Sequence, residues 1–156
     1  MHRRPGSTGD VDYTTRKEPM QVIKSHLNFV VADSRWERIA ASTLEEHEMV
    51  EAFAKNNGLG FTIPYFDRGT PHDYLPDFVV KIKGRNQYLL LEIKGRSTVQ
   101  TEAKSEAATR WCEAVSREGS FGRWNFLQLD ERASIPEELD KVLTQSKYAK
   151  AQAASA

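Results

Sequence analysis

Two acidic residues and a lysine, set on neighbouring apolar runs, carry the chemistry this sequence offers. Leu75-Pro76-Asp77-Phe78 opens one run, and Tyr88-Leu89-Leu90-Leu91-Glu92-Ile93-Lys94 makes the next. The second run reads as a buried strand. Side chains alternate faces along a strand, so Glu92 and Lys94 share one face while Leu91 and Ile93 share the other. Charges on an apolar strand are costly to bury without partners or a metal, and a site that uses them is the simplest reason to keep them. Hard oxygen ligands such as Asp77 and Glu92 suit Mg²⁺, which keeps several waters and completes its shell with a phosphate. The backbone carbonyl of Ile93 is a further candidate ligand. Lys94 is placed to orient a water or to stabilise developing phosphoryl charge. The set suits metal-dependent phosphodiester hydrolysis, with Mg²⁺ as the expected cofactor and Mn²⁺ as a substitute.

The elements that must position these groups follow from periodicity. Residues 1–19 are polar, with Gly, Pro and Thr, and are expected to form a flexible arm. A short strand is expected over 27–31. Trp36, Ile39, Ala40, Leu44, His47 and Phe53 fall at helical spacing and predict one helix over 34–56, stopped by Asn57-Gly58. Strands are expected over 61–65, 78–82 and 88–94, the last two joined by a turn at Gly84-Arg85-Asn86. A second helix over 102–117 turns Ala103, Ala107, Trp111 and Ala114 or Val115 inward. A fourth strand covers 123–129. Ser134 and Glu137 have capping-box spacing at the start of a last helix near Pro136. The expected organisation is one domain over 20–146, followed by a disordered tail over 147–156.

Composition sets the class. At 156 residues, with 39% hydrophobic and 28% charged residues, the chain has the makeup of one soluble globular domain. The single cysteine, Cys112, excludes an intrachain disulfide, and no Cys/His spacing suits zinc. No signal-peptide core or membrane-spanning run is read, so a cytoplasmic location away from membranes is expected. The net charge of zero gives no general attraction for nucleic acid. Nine Lys/Arg against five Glu between Lys81 and Arg123 nevertheless form a basic stretch beside the proposed site, compatible with a phosphate track.

At Pro76-Asp77 and Glu92-Ile93-Lys94 the chain resembles the PD-(D/E)XK nuclease superfamily. Lys24-Ser25-His26-Leu27-Asn28, Asp33-Ser34-Arg35-Trp36-Glu37, Lys55-Asn56-Asn57-Gly58-Leu59-Gly60-Phe61, His72-Asp73-Tyr74-Leu75-Pro76-Asp77-Phe78 and Gly122-Arg123-Trp124 look like the carboxy-terminal endonuclease region of type III restriction enzyme restriction subunits. That resemblance runs over about 22–129. It implies an α/β restriction-endonuclease-like core of order αβββαβ, with a central mixed sheet flanked by helices and a C-terminal helix. It also implies a Mg²⁺-dependent DNA endonuclease partnered by other restriction-system subunits or a helicase-like motor. No Gly-rich phosphate loop ending in Lys-Ser/Thr is present, so the motor is expected elsewhere and this chain as an excised domain, a separate subunit or a remnant.

Members of the superfamily often carry an acid on the first helix near the metal, and Glu37 matches that place. Glu37 therefore has two readings: a helper at the metal, or the partner of Ser34 in a capping box. Glu45 is the competing acid. Lys104, Arg96 and His72 are candidate nucleic-acid contacts, with His72 and Tyr74 expected in a loop before Asp77, and Arg110 is expected to face solvent. Trp36, Trp111 and Trp124 are read as core, and His26 and His47 as structural. The rival expectation is a catalytically weak or inactive nuclease-fold module that binds DNA or assembles a restriction or defence complex. An RNA-directed or structure-specific nuclease is the second rival.

Overall fold

The structure, a computed structural model, describes residues 20–21, 24, 29–30, 34–56, 58–84, 86–94, 99–130 and 133–154. The expected arm over 1–19, and Arg96, lie outside them. Two short strands, β1 (Met20–Gln21) and β2 (Phe29–Val30), pair antiparallel ahead of helix α1 (Arg35–Glu46). Ser34 starts α1 by accepting the Glu37 amide on its Oγ at 3.2 Å, which satisfies one of the amides left open in a first turn.

Strand β3 (Val50–Lys55) follows, then a hairpin of β4 (Ile63–Asp67) and β5 (Thr70–Tyr74). Strands β6 (Phe78–Ile82) and β7 (Gln87–Lys94), helix α2 (Val99–Glu118), strand β8 (Arg123–Asp130) and helix α3 (Ile135–Ala154) complete the order. The main sheet runs β3-β6-β7-β8. Strand β6 runs antiparallel to both β3 and β7, and β8 lies parallel to β7 because α2 carries the chain back across the sheet. This is the expected mixed α/β core, αβββαβ with a C-terminal helix, and it is consistent with a restriction-endonuclease-like fold.

Both faces of the sheet are covered. Leu44 of α1 and Leu139 and Leu143 of α3 pack with Phe53, Phe78, Val80, Leu89 and Leu91 on one face. Ala107, Ala108 and Cys112 of α2 and Ile63, Tyr65 and Tyr74 of the hairpin pack with Leu90 on the other. Leu89, Leu90 and Leu91 are therefore all buried, which is why β7 reads as a continuous apolar run rather than an alternating one. Burying each such side chain contributes roughly 1.5–3 kcal/mol, and this clamps the strand that bears Glu92 and Lys94. Trp111 and Trp124 meet edge to face at 5.2 Å within the second core, while Trp36 packs against the first. Among the described residues no helix is long and apolar enough to cross a membrane.

Four local expectations change. The helix expected over 34–56 ends at Glu46, and 50–55 is strand. His47 makes the break. Its backbone is extended, its Nδ1 accepts the Met49 amide at 3.1 Å and its Nε2 lies 3.0 Å from Asp140 Oδ1. The first core strand is accordingly β3, whereas the segment expected over 61–65 belongs to the separate hairpin with β5. His72 and Tyr74 thus lie on a strand and not in a loop. Lastly, α3 continues through 147–154, where a tail was expected; alanine, the strongest helix former, dominates that stretch.

Candidate functional site

The sheet register aligns one row of side chains across four strands. Phe78 pairs with Leu91 and Lys55 with Phe78. One step further along, the Asn56 amide donates to the Asp77 carbonyl at 2.8 Å. Glu92 in turn pairs with Gln128. Asp77 and Glu92 are thus direct cross-strand neighbours on the face covered by α2 and the hairpin. Like charges placed opposite one another destabilise a sheet, so this pair needs compensation.

Part of it comes from hydrogen bonds. Asp77 Oδ2 accepts the Ile93 amide at 2.8 Å, and Glu92 Oε2 accepts the Asp77 amide at 3.2 Å. Tyr74, the last residue of β5, donates its hydroxyl to the same Glu92 oxygen at 2.7 Å. These bonds do not fully offset burial. Burial and then the Asp77 charge push the Glu92 carboxyl up to about 7, against the lowering effects of Tyr74, the Asp77 amide and Lys104. Burial likewise raises Asp77, although Lys55 and the Ile93 amide pull the other way.

Lys55 is the group that sequence reading missed. It closes β3, is 5% exposed, and places Nζ 3.2 Å from Glu37 Oε1 and 3.3 Å from Asp77 Oδ1. Burial opposes its charge, but the two carboxylates outweigh that and hold the ammonium above its ordinary range. Glu37 therefore serves in two ways: its amide caps α1, and its buried carboxylate turns inward to Lys55. Glu45 is engaged elsewhere, accepting the Lys24 amide at 3.0 Å.

Lys94 lies two residues beyond Glu92 on the same strand face. It lines a groove of about 210 Å³ with Thr101, Glu102, Ser105 and Glu106 of α2 and Gln128 of β8. Lys104 lies 5.8 Å from the Tyr74 ring, near enough for its charge to act on Glu92. His72 stacks on Tyr65 with ring centres 5.4 Å apart. Ile93 meets Asp77 through its amide.

The donor set suits a hard divalent ion of the Mg²⁺ kind. Glu37 and Asp77 share the Lys55 ammonium, and Glu92 lies beside Asp77. Mg²⁺ is commonly held by one or two carboxylates with water completing its shell. Among the described residues there is no group of three or more His, Cys, Asp or Glu placed to cage an ion, so water and substrate would have to supply the rest. Asn56 adds a buried side-chain oxygen that accepts no hydrogen bond, beside the Asp77 backbone.

The signal for Lys55 was present in the sequence. A lone lysine ends the run Val50-Glu51-Ala52-Phe53-Ala54-Lys55, but it points to a site only once that run is read as a strand. Tyr74 was in view as a residue near Asp77, though its contact with Glu92 depends on the hairpin.

Residues 45–118, from the end of α1 to the end of α2, match the family model of the TnsA-like endonuclease N-terminal domain. The matched stretch contains Lys55, Asp77, Glu92, Lys94 and Lys104, while Glu37 lies outside it. No curated protein and no solved structure matches the chain. The matched family belongs to the restriction-endonuclease-like, or PD-(D/E)XK, superfamily, so the matched stretch is similar to part of a nuclease-fold module.

Proposed function

We propose that this chain is a Mg²⁺-dependent DNA endonuclease domain, similar to the nuclease part of a type III restriction enzyme. The observation that carries the reading is the cross-strand pair Asp77 and Glu92, each carboxylate accepting an amide from the opposite strand. A pair so fixed, with burial pushing both carboxyls above their ordinary range, is suited to sharing a cation.

In this reading Asp77 and Glu92 hold the ion, with the Ile93 carbonyl as a further ligand. A bound divalent ion supplies a polarised phosphoryl group and a more acidic water. Lys94 orients the attacking water and faces the charge that builds on the phosphate. Tyr74 and the Asp77 amide keep the Glu92 carboxylate from rotating. Glu37 assists from α1 through Lys55. Lys104, with Arg96 and His72, contacts the DNA backbone, and the motor that brings DNA to the site resides in other restriction-system subunits, in the cytoplasm.

Plasmid nicking tests this directly. Asp77→Ala and Lys94→Ala should each abolish Mg²⁺-dependent nicking while circular dichroism shows the fold intact. Cutting at the wild-type rate by either variant would remove the roles assigned here.

One observation favours a second reading. The Lys55 ammonium already neutralises one oxygen of Asp77, and a site balanced from within can persist after catalysis is lost. The chain would then be a DNA-binding or assembly module, and a wild type that takes up neither Mg²⁺ nor Mn²⁺ would favour that alternative.

A further inference from the structure

We propose that Lys55 is a resident cation of the site, holding Glu37 and Asp77 together in place of a second divalent ion, so that the site takes one ion at Asp77 and Glu92. The inference rests on the nuclease reading and refines it.

Lys55 is not a surface lysine that happens to touch an acid. It is 5% exposed, Glu37 is 6% exposed, and Nζ lies within 3.3 Å of an oxygen of each carboxylate. The Phe78 ring sits 5.4 Å from Nζ and closes another side. Lys55 comes from β3, Glu37 from α1 and Asp77 from the mouth of β6, so three elements converge on one ammonium.

Two carboxylates facing each other across a buried gap need a cation between them. In two-metal phosphodiester chemistry a second ion supplies it. Here an ammonium fixed to the backbone does so. A divalent ion entering that gap would have to displace a buried ammonium from both carboxylates, which is strongly unfavourable.

The two oxygens of Asp77 divide accordingly. Oδ1 faces Lys55, and Oδ2 faces β7, where it accepts the Ile93 amide beside Glu92. An ion shared with Glu92 would therefore meet Asp77 at Oδ2 and not at the oxygen held by Lys55. Glu37 is then a positioning residue acting through Lys55 rather than a metal ligand.

Calorimetric titration with MnCl₂ counts the ions without depending on activity. The wild type should take up one Mn²⁺ per chain and Lys55→Arg also one. Lys55→Gln should take up two, and the double variant Lys55→Gln/Glu37→Gln should return to one. Unchanged uptake of one ion by Lys55→Gln, or uptake of two by the wild type, would overturn the role of Lys55 while leaving the nuclease reading in place. Uptake of none by the wild type would overturn the metal reading and this inference with it. If Lys55→Gln is unfolded in EDTA, Mn²⁺ should restore its circular dichroism at two ions per chain; failure to refold with Mn²⁺ would also overturn the proposal.

Discussion

The backbone amide of Asp77 donates to Glu92 Oε2 at 3.2 Å, so one acid of the pair fixes the carboxylate of the other. The return contact passes through Ile93, next to Glu92, whose amide donates to Asp77 Oδ2 at 2.8 Å. The two carboxylates are thereby set by the β6–β7 register itself rather than by freely turning side chains. Preorganisation of this kind lets a site bind a cation without first ordering its ligands.

Tyr74 extends that support from the hairpin. Its hydroxyl bond to Glu92 is 2.7 Å long, and the loss of a partner behind a metal ligand typically weakens the metal about 10- to 100-fold. Tyr74→Phe should therefore lower Mn²⁺ affinity about tenfold, in calorimetric titration, with the same number of ions bound. Unchanged affinity would remove Tyr74 from the site.

The metal-free protein should respond to pH through Glu92. Its carboxyl is pushed up to about 7 from an ordinary 4.5, first by burial and then by Asp77. The folded state thus holds this proton more tightly than the unfolded chain does. Its contribution to stability is complete below about pH 4.5 and is lost as pH rises through about 7. Urea melts in EDTA should show the difference between wild type and Glu92→Gln shifting against the wild type across that window. A difference that is flat with pH would contradict the burial of an ionisable Glu92.

Gly122 tests how β8 is joined to the β6–β7 turn. Its φ is +80°, and a Cβ there would lie 2.5 Å from the Asn86 carbonyl oxygen, whereas at Gly119, with φ +87°, a Cβ would meet nothing within 4 Å. Both substitutions strain the backbone, but only one also forces a clash. Gly122→Ala should be more destabilising than Gly119→Ala by about 1–3 kcal/mol in denaturant melts. Equal losses would place Asn86 away from Gly122.

Cys112 reports on the second core. It is buried on the inner face of α2, and burial pushes its thiol up to about 12, so almost no thiolate is available to react. Iodoacetamide at pH 8 should leave the native protein unlabelled by mass spectrometry and label it fully in urea. Rapid labelling of the folded protein would mean that α2 does not cover the sheet as described.

The acidic pair was legible in the sequence because β6 and β7 announce themselves. An Asp at a strand mouth and an acid-lysine pair on the next apolar strand constrain one another through strand alternation alone. Lys55 was hidden by an ambiguity of period. Leu44, His47 and Phe53 satisfy helical spacing, and only the extended backbone of His47 converts the second half of that run to strand. The second arm of the hairpin was hidden by composition, since Thr70-Pro71-His72-Asp73-Tyr74 carries Pro and Asp, both depleted in strands. Its cue was the two-residue turn Arg68-Gly69, with φ of 50° and 78°, as tight hairpins require. With both segments misassigned, the ammonium that ties α1 to Asp77 and the hydroxyl that fixes Glu92 had no visible place.

The most direct test is a crystal of the wild-type protein soaked in Mn²⁺ and measured at a wavelength where manganese scatters anomalously. A single peak is predicted, in contact with both the Asp77 and Glu92 carboxylates. An anomalous map without a peak there, or with the two carboxylates turned apart, would contradict the account.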